Sequence, residues 1–423
     1  MGILSFLKSE KVDKGYGMEV FNTYDDTTTF FSDEIIAKEG YKKNTIVYKC
    51  VNLISDEASK ITYKLKNADG DVIDDHPVLD KLNAPNKAQG ASEFKREAFS
   101  NYLLFGNSFI LAMTDESDAR TDREPVFLYN LSPINIEVKS GPNFMPSEYV
   151  YTKNSIRKVY QVSLTGQSNI MHTKTYNPTN PFLGLAPIQA AEYQAEQFNE
   201  SSRWNKNLLK NSGSPSGILS VKDRIGPDQV QALESKFKQK MTGSNSAGAT
   251  MVIGGAEFEW IPYGLSPKDM DFINGVKISA QMVASVYNVP MELLNLESAK
   301  YDNIRAASEQ LFDSAVAPLV DNFADEFTRF LLPRYAGLEG YRLEPDYSQV
   351  LSIEEKKARK IEALDSVSFM TINEKRAEVG LEPLEGGDSL LVDSNKVPVS
   401  DLDTSDIEKG LTTMSESVTA VYG

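Results

Sequence analysis

Between residues 187 and 212 the stretch PIQAAEYQAEQFNESSRWNKNLLKNS reads as one helix of about seven turns, and the rest of the chain must be arranged around it. Its charges are sorted along the axis. Glu192, Glu196 and Glu200 lie in the first half, and Arg203, Lys206 and Lys210 in the second. This complements a helix dipole that is positive at the start and negative at the end, so the pattern needs no ligand to explain it. Gly213 supplies the stop. A compact β-α-β-β unit follows: strand GILSV, a helix from Pro227 to Met241, the Gly/Ser/Asn-rich loop GSNSAGA, strand TMVIG, and strand FEWIPY. A second long helix then runs from Pro267 to about Asn288. It is cut at Pro290, whose ring disfavours helix at the residue before it. Two long helices thus bracket a small β-rich insertion.

The flanking segments carry ordinary signals. The first forty-odd residues are polar, with little periodicity, and read as a loose arm. From Asn44 to Ile61, apolar Ile46, Val47, Cys50, Val51, Ile54 and Ala58 recur at steps of three and four, which predicts an amphipathic helix. ITYKLKNADGDVI alternates about an Asp-Gly turn and predicts a hairpin. In HPVLDKLNAPN, Pro77 opens a short helix that Asn83 to Asn86 stop. A further helix is predicted from Ser92 to Asn107, with Ser92 as N-cap and Gly106 at its end. SFILAMT and VFLYNLS predict strands joined by the acidic loop TDESDARTDRE, with more strands between Asn135 and Lys174. Past the loop LNLESAKYD, a third long helix is predicted from near Asn303 to Leu332, kinked at Pro318. SIEEKKARKIEALDSV, a shorter helix from Ile372 to Val379, and GGDSLLV follow. A polar, acidic tail from about Ser400 is expected to fray.

The residues offer little for catalysis. With 423 residues, the chain is long enough for two or three domains or one elongated subunit. His76 and His172 are its two histidines, one in a turn before proline and one in a predicted strand. Neither GxSxG, HExxH, CxxC nor GxxxxGK[ST] occurs, and without a phosphate-cradling loop the chain is not an ATP-driven motor. Cys50 lies in the apolar run VYKCVNLI and reads as core. Trp204 and Trp260 have apolar neighbours and need no special role. No cofactor or metal is expected. The alternative is a metal-dependent DNA-processing enzyme, a nuclease using the paired carboxylates Asp25–Asp26, Asp74–Asp75 or Glu354–Glu355. These lie in predicted loops or on a solvated helix face. The opening MGILSFLK is too short in its apolar part for a signal peptide, and Phe6 stands where myristoylation requires Ser or Thr. No run reaches the ~20 apolar residues of a bilayer span, so no membrane partner is expected. Sixty acidic residues against 44 basic ones give a net charge of −16, which opposes tight binding to a phosphate backbone.

In its order of motifs the chain resembles the portal proteins of long-tailed bacteriophages. VYKCVNLISDEASKI is similar to that family's first helix. HPVLDKLNAPN with SEFKREAFSNYLLFGNSFIL, LYNLSPINIEV, GLAPIQAAEYQAEQFNESSRWNKNLLKNSGSPSGIL, VASVYNVPMELL and TINEKRAEVGLEPLEGGDSLLV continue the series over about residues 40 to 397. The resemblance implies an α+β portal-type elongated subunit. After an N-terminal arm (1–40) come a mixed α/β wing (41–186), stem helix 1 (187–212), a small β-α-β-β clip (213–264) and stem helix 2 (265–289). A tunnel loop (290–303), a long kinked helix returning to the wing (304–350), a helical crown (351–397) and a flexible acidic tail (398–423) follow. It implies a ring homo-oligomer of twelve copies at the capsid portal vertex of a virion, assembled in the host cytoplasm. Such a ring conducts double-stranded DNA during packaging and ejection, and docks the terminase large subunit, then the head–tail adaptor, within the major capsid and scaffold proteins. Contact with DNA is expected to be non-specific and transient, since an acidic channel repels phosphate. Glu292, Glu297, Lys300 and Asp302, in and beside the tunnel loop, are candidates to face the channel. Lys236, Lys238 and Lys240 on the clip helix are candidates for contact with motor or adaptor. A smaller head-completion protein is disfavoured by the chain's length and by its paired helices with an inserted β-rich unit.

Overall fold

The computed structural model describes residues 32–114, 123–141, 145–210, 217–221, 258–262, 272–294, 301–348, 350–367, 369–392 and 397–398, with positions 228, 231, 232 and 235. The chain forms two units, Met1–Asp346 and Tyr347–Gly423.

A helical turn, Asp33–Ile35, runs into a π-helical segment, Ile36–Tyr41, and then into α1, Thr45–Lys60. Asn44 starts α1 by accepting from the amides of Ile46 and Val47, each at 3.1 Å, which satisfies two donors the helix cannot pair internally. The apolar face read from the sequence is the buried one: Ile46, Val47, Cys50, Val51, Ile54 and Ala58. The predicted hairpin is β1 (Thr62–Lys66) with β2 (Val72–Ile73), and α2 (Pro77–Asn83) follows it. The His76 Nδ1 accepts from the Val78 amide at 3.2 Å, so the turn histidine is the N-cap of α2.

Helix α3 (Ala91–Phe105) packs along α1. It begins after Gly90, and Ser92 is not its cap as expected. The Ser92 hydroxyl instead meets Ser59 of α1 at 3.1 Å, because two small polar side chains let the helices approach there. Gly106 ends α3 at φ +67°, where a β-carbon would lie 2.5 Å from the Leu185 carbonyl carbon.

Strands β3 (Asn107–Met113), β4 (Phe127–Leu131), β5 (Ile136–Ser140), β6 (Pro146–Lys153), β7 (Ile156–Gln161) and β8 (Ile170–Lys174) build two antiparallel sheets, ordered β4-β3-β8 and β5-β6-β7. Phe109, Leu131, Tyr149 and Ile170 close the space between them.

The expected single helix over 187–212 is two helices, α4 (Pro187–Ala190) and α5 (Glu192–Lys210), with residues 211–212 outside the described set. The chain reorients at Ala191 (φ −115°, ψ 28°), which lets Ile188 bury beside α3 while Ala191 and Ala195 stay buried. Strands β9 (Gly217–Val221) and β10 (Phe258–Pro262) pair antiparallel, and α6 (Phe272–Val286) follows. Of the predicted helix 227–241, Asp228, Gln231, Ala232 and Ser235 are described; all are helical and exposed. TMVIG lies outside the described residues.

Helix α7 (Tyr301–Leu311), a π-helical turn (Phe312–Val316) and α8 (Ala317–Leu331) form the third long helix. The irregularity precedes Pro318, which occupies the first turn of α8, where its missing amide costs little. Strand β11 (Arg342–Asp346) returns to pair antiparallel with β1, an element without a sequence signal. The centre of the core is aromatic. Phe99 meets Phe323 edge-to-face at 4.9 Å and 87°, and Phe327 packs beside Phe323 and Tyr63. Full burial of one such ring stabilises the fold by about 2–3 kcal/mol.

In the second unit, α9 (Leu351–Asp365) and α10 (Ile372–Glu378) fall where the sequence predicts them, with a Thr371–Glu374 capping box opening α10. Strands β12 (Leu391–Val392) and β13 (Val397–Pro398) pair as a minimal hairpin. Residues from 399 onward, the predicted tail, lie outside the described set.

Candidate channel segment and its anchorage

Helices α5 and α6 lie side by side, with the Ser279 hydroxyl donating to Gln197 Oε1 at 2.9 Å. Between them in sequence, Gly217 and Pro262 are register partners in the antiparallel β9–β10 pair. The buried face of α6 carries Ser279, Ala280, Val283 and Ala284, small side chains that permit close packing.

The stop of α6 is set two residues earlier than the proline. Asn288 adopts the left-handed conformation at φ +54°. Its amide donates to the Ser285 carbonyl at 3.0 Å and the Val289 amide to the Ala284 carbonyl at 3.0 Å, the paired bonds of a Schellman terminus. Val289 is buried, as the apolar residue after such a terminus tends to be, and Pro290 prevents resumption. Tyr287 beside it is fully enclosed. Its hydroxyl has no partner among the described residues, and burial pushes its pKa up.

Past Pro290 the chain makes one 3₁₀ turn, Met291–Leu294, with Leu294 buried. It returns at α7, where Ala307 and Leu311 are buried. The two bases of this excursion are tied together: Asn288 Nδ2 donates to the Ser314 carbonyl at 3.4 Å and Ser314 Oγ to the Asn288 carbonyl at 3.5 Å. The segment between is therefore held at both ends by packed, hydrogen-bonded structure.

Of the expected channel residues, Glu292 is half-buried on the 3₁₀ turn, and Asp302 stands in the first turn of α7, its side chain outside the description. Glu297 and Lys300 lie outside the described residues, as do Lys236, Lys238 and Lys240. The structure neither joins nor separates those sets.

A polar hub escaped the sequence reading. Buried Asn107 donates from Nδ2 to the Phe105 carbonyl at 2.8 Å and accepts at Oδ1 from the Gly184 amide at 2.7 Å and His172 Nε2 at 3.0 Å. His172 stacks on Phe109 at 4.2 Å, and burial, helped by the Lys174 charge, lowers its pKa to about 3. The imidazole is neutral and its Nε2–H donates to Asn107, so this histidine holds two strands and the 184 turn together rather than moving protons. The paired GN at 106–107 was the available signal.

For the nuclease alternative, Asp74 and Asp75 are exposed. Among the described residues no group of three or more His, Cys, Asp and Glu side chains converges as metal ligands, and no described helix is long and apolar enough to cross a membrane. Asp25–Asp26 lie outside the described residues, as do the side chains of Glu354–Glu355.

Residues 45–380 match the family model for phage portal proteins. The chain belongs to that family. An uncharacterized protein of Rickettsia bellii is 34% identical over 358 residues, 83% of this chain and 90% of its own length. The portal protein of Enterobacteria phage HK97 is 22% identical over 393 residues, 89% of this chain and 88% of its own. Among solved structures, a chain in the neck of a native gene transfer agent particle computed with C12 symmetry superposes with a TM-score of 0.62 at 25% identity, covering 85% of this chain and 96% of that one. Portal proteins are structural rather than enzymatic, and form the ring at one capsid vertex. That vertex is the location of this chain.

Proposed function

We propose that the ring formed by this portal-family chain is a twelve-copy conduit for double-stranded DNA, docking the terminase large subunit during packaging and a head–tail adaptor afterwards, with no reaction of its own. The family match over 45–380 carries the reading. The C12 symmetry of the related particle neck supports the copy number. On this reading α5 and α6 form the stem, the β9–β10 region the clip, residues 290–303 the tunnel loop and 351–397 the crown, within the vertex built by the major capsid and scaffold proteins. Glu292, Glu297, Lys300 and Asp302 then face DNA, and Lys236, Lys238 and Lys240 meet motor or adaptor. A net charge of −16 per copy suits a passage through which phosphate slides without the counterion release that would hold it.

The test is electron microscopy of the purified chain viewed down the particle axis, with a second variant in which Glu292 to Asp302 are replaced by a Gly/Ser linker. Rings with a hole wide enough for a duplex are expected from both, with DNA packaging or retention lost only in the linker variant. A persistent monomer or closed dimer overturns the ring. Loss of the ring in the linker variant moves residues 292–302 from the channel to a subunit interface.

A further inference from the structure

Strand β7 is an open edge. Its sheet is ordered β5-β6-β7, and among the described residues β7 pairs with β6 alone. The register is set at both ends. Asn154 and Ser155 make the two-residue turn at φ +49° and +66°, left-handed backbone at two residues that are not glycine. Tyr160 and Val162 pack on the Phe109 cluster. The Val162 amide donates to the Ser147 carbonyl at 2.9 Å. By the two-residue alternation of an antiparallel ladder, Tyr160, Lys158 and Ile156 then bond inward to β6 as well. The amides and carbonyls of Arg157, Val159 and Gln161 point the other way, and no described backbone group meets them.

Two features say what this edge accepts. Apolar side chains lie along it and at its ends: Ile156 (61% exposed), Val159 (38%) and Leu164 (93%). Leu164 is held at the tip of a turn closed by the Ser163 amide on the Gln167 carbonyl at 2.8 Å. The second feature is charge. Residues 145–167 carry Lys153, Arg157 and Lys158 against Glu148 alone, in a chain of net charge −16. The three cations are exposed and form no ion pair among the described residues. Charge on an edge strand ordinarily keeps it from pairing with its own kind. Here it repels a second copy of β7 and attracts an acidic strand. Duplex DNA could use the cations, but it would strip water from the outward carbonyls without replacing the hydrogen bonds.

We propose that β7 is a docking edge for an acidic, extended segment of a different protein, which adds to the sheet as a fourth strand. The outward groups of Arg157, Val159 and Gln161 bond its backbone, and Lys153, Arg157 and Lys158 select its acidic side chains. The test adds short peptides, alternating Val with Glu or Val with Lys, to the purified full chain and reads amide exchange residue by residue. The Val/Glu peptide should slow exchange at 157, 159 and 161 about ten-fold, leaving 158 and 160, already bonded to β6, unchanged. Val159→Pro removes an outward donor and spares the β6 ladder, so it should weaken binding about ten-fold. Arg157→Glu with Lys158→Glu should transfer the preference to the Val/Lys peptide, which keeps the test decisive should the proline disturb the hairpin. Equal binding of the two peptides by the wild-type chain overturns the inference, as does an unchanged preference in the charge-reversed variant. So does an absence of protection at 157, 159 and 161, or protection there by duplex DNA or by assembly of the chain with its own copies.

Discussion

The two units of this chain place their apolar residues in opposite ways. Up to Asp346, helices and sheets share a core of fully enclosed aromatic and aliphatic side chains, within which buried Asn44 and Asn107 use both ends of their amides while hydroxyls such as that of Tyr287 are enclosed without a hydrogen bond among the described residues. After Asp346, α10 is capped by Thr371 and tied by polar bonds to α9 and to the turn that follows it, yet Phe369 and Leu384 are left to solvent. Local signals alone can write a helix; a core requires partners from distant sequence. Up to Asp346 those partners are on the same chain; after it, Gly387 is the one buried residue among those described.

Removing the centre of the first core should give the largest effect. Phe323→Ala deletes a fully buried ring that touches Phe99 and Phe327, and a loss of about 3–5 kcal/mol is expected in urea unfolding of the unassembled chain. A loss below ~1 kcal/mol would erase the contrast, because the first unit would then depend on its core no more than the second.

A pH titration sharpens it next. Lys95 is buried on α3, donating to the Ile61 carbonyl at the end of α1, and burial lowers its pKa from 10.5 to about 8. Below pH 8 folded and unfolded chains both hold the proton. From about 8 to 10.5 the unfolded chain keeps a proton that the folded one has released, so this group makes stability rise with pH. Relative to Lys95→Met, the wild-type chain should gain about 3 kcal/mol over that window, measured as urea midpoints at each pH. A flat difference between the two proteins would mean that the first unit hydrates its interior lysine, as the second does its surface.

Lys95 also shows where the sequence ceases to be legible. In ASEFKREAF it is one of two adjacent basic residues, and nothing local distinguishes the buried Lys95 from Arg96, whose side chain stays half exposed. The α1 face was legible because its period depends only on the helix itself. Strand β11 was not, because RLEPD has no apolar run and is a strand only through β1, far back in the sequence. The anchorage of the candidate channel segment was half legible. Pro290 marked the stop, but the bonds that terminate α6 come from Asn288, whose left-handed backbone is a conformational fact rather than a compositional one. Its tie to Ser314 depends on the π-helical turn at 312–316, which no spacing rule announces.

The smallest expected effect tests the second half of the comparison. In the unassembled chain Phe369 already meets water over most of its surface, so Phe369→Ser removes little burial and should change stability by less than about 0.5 kcal/mol. An aromatic ring of the same kind at position 323 is expected to cost several times more, and the difference is wholly one of surroundings. Should Phe369→Ser destabilise the free chain by ~2 kcal/mol or more in urea unfolding, the side chain must be covered within its own copy. The second unit would then be a finished domain with its own core, and its exposed leucines would be ordinary surface.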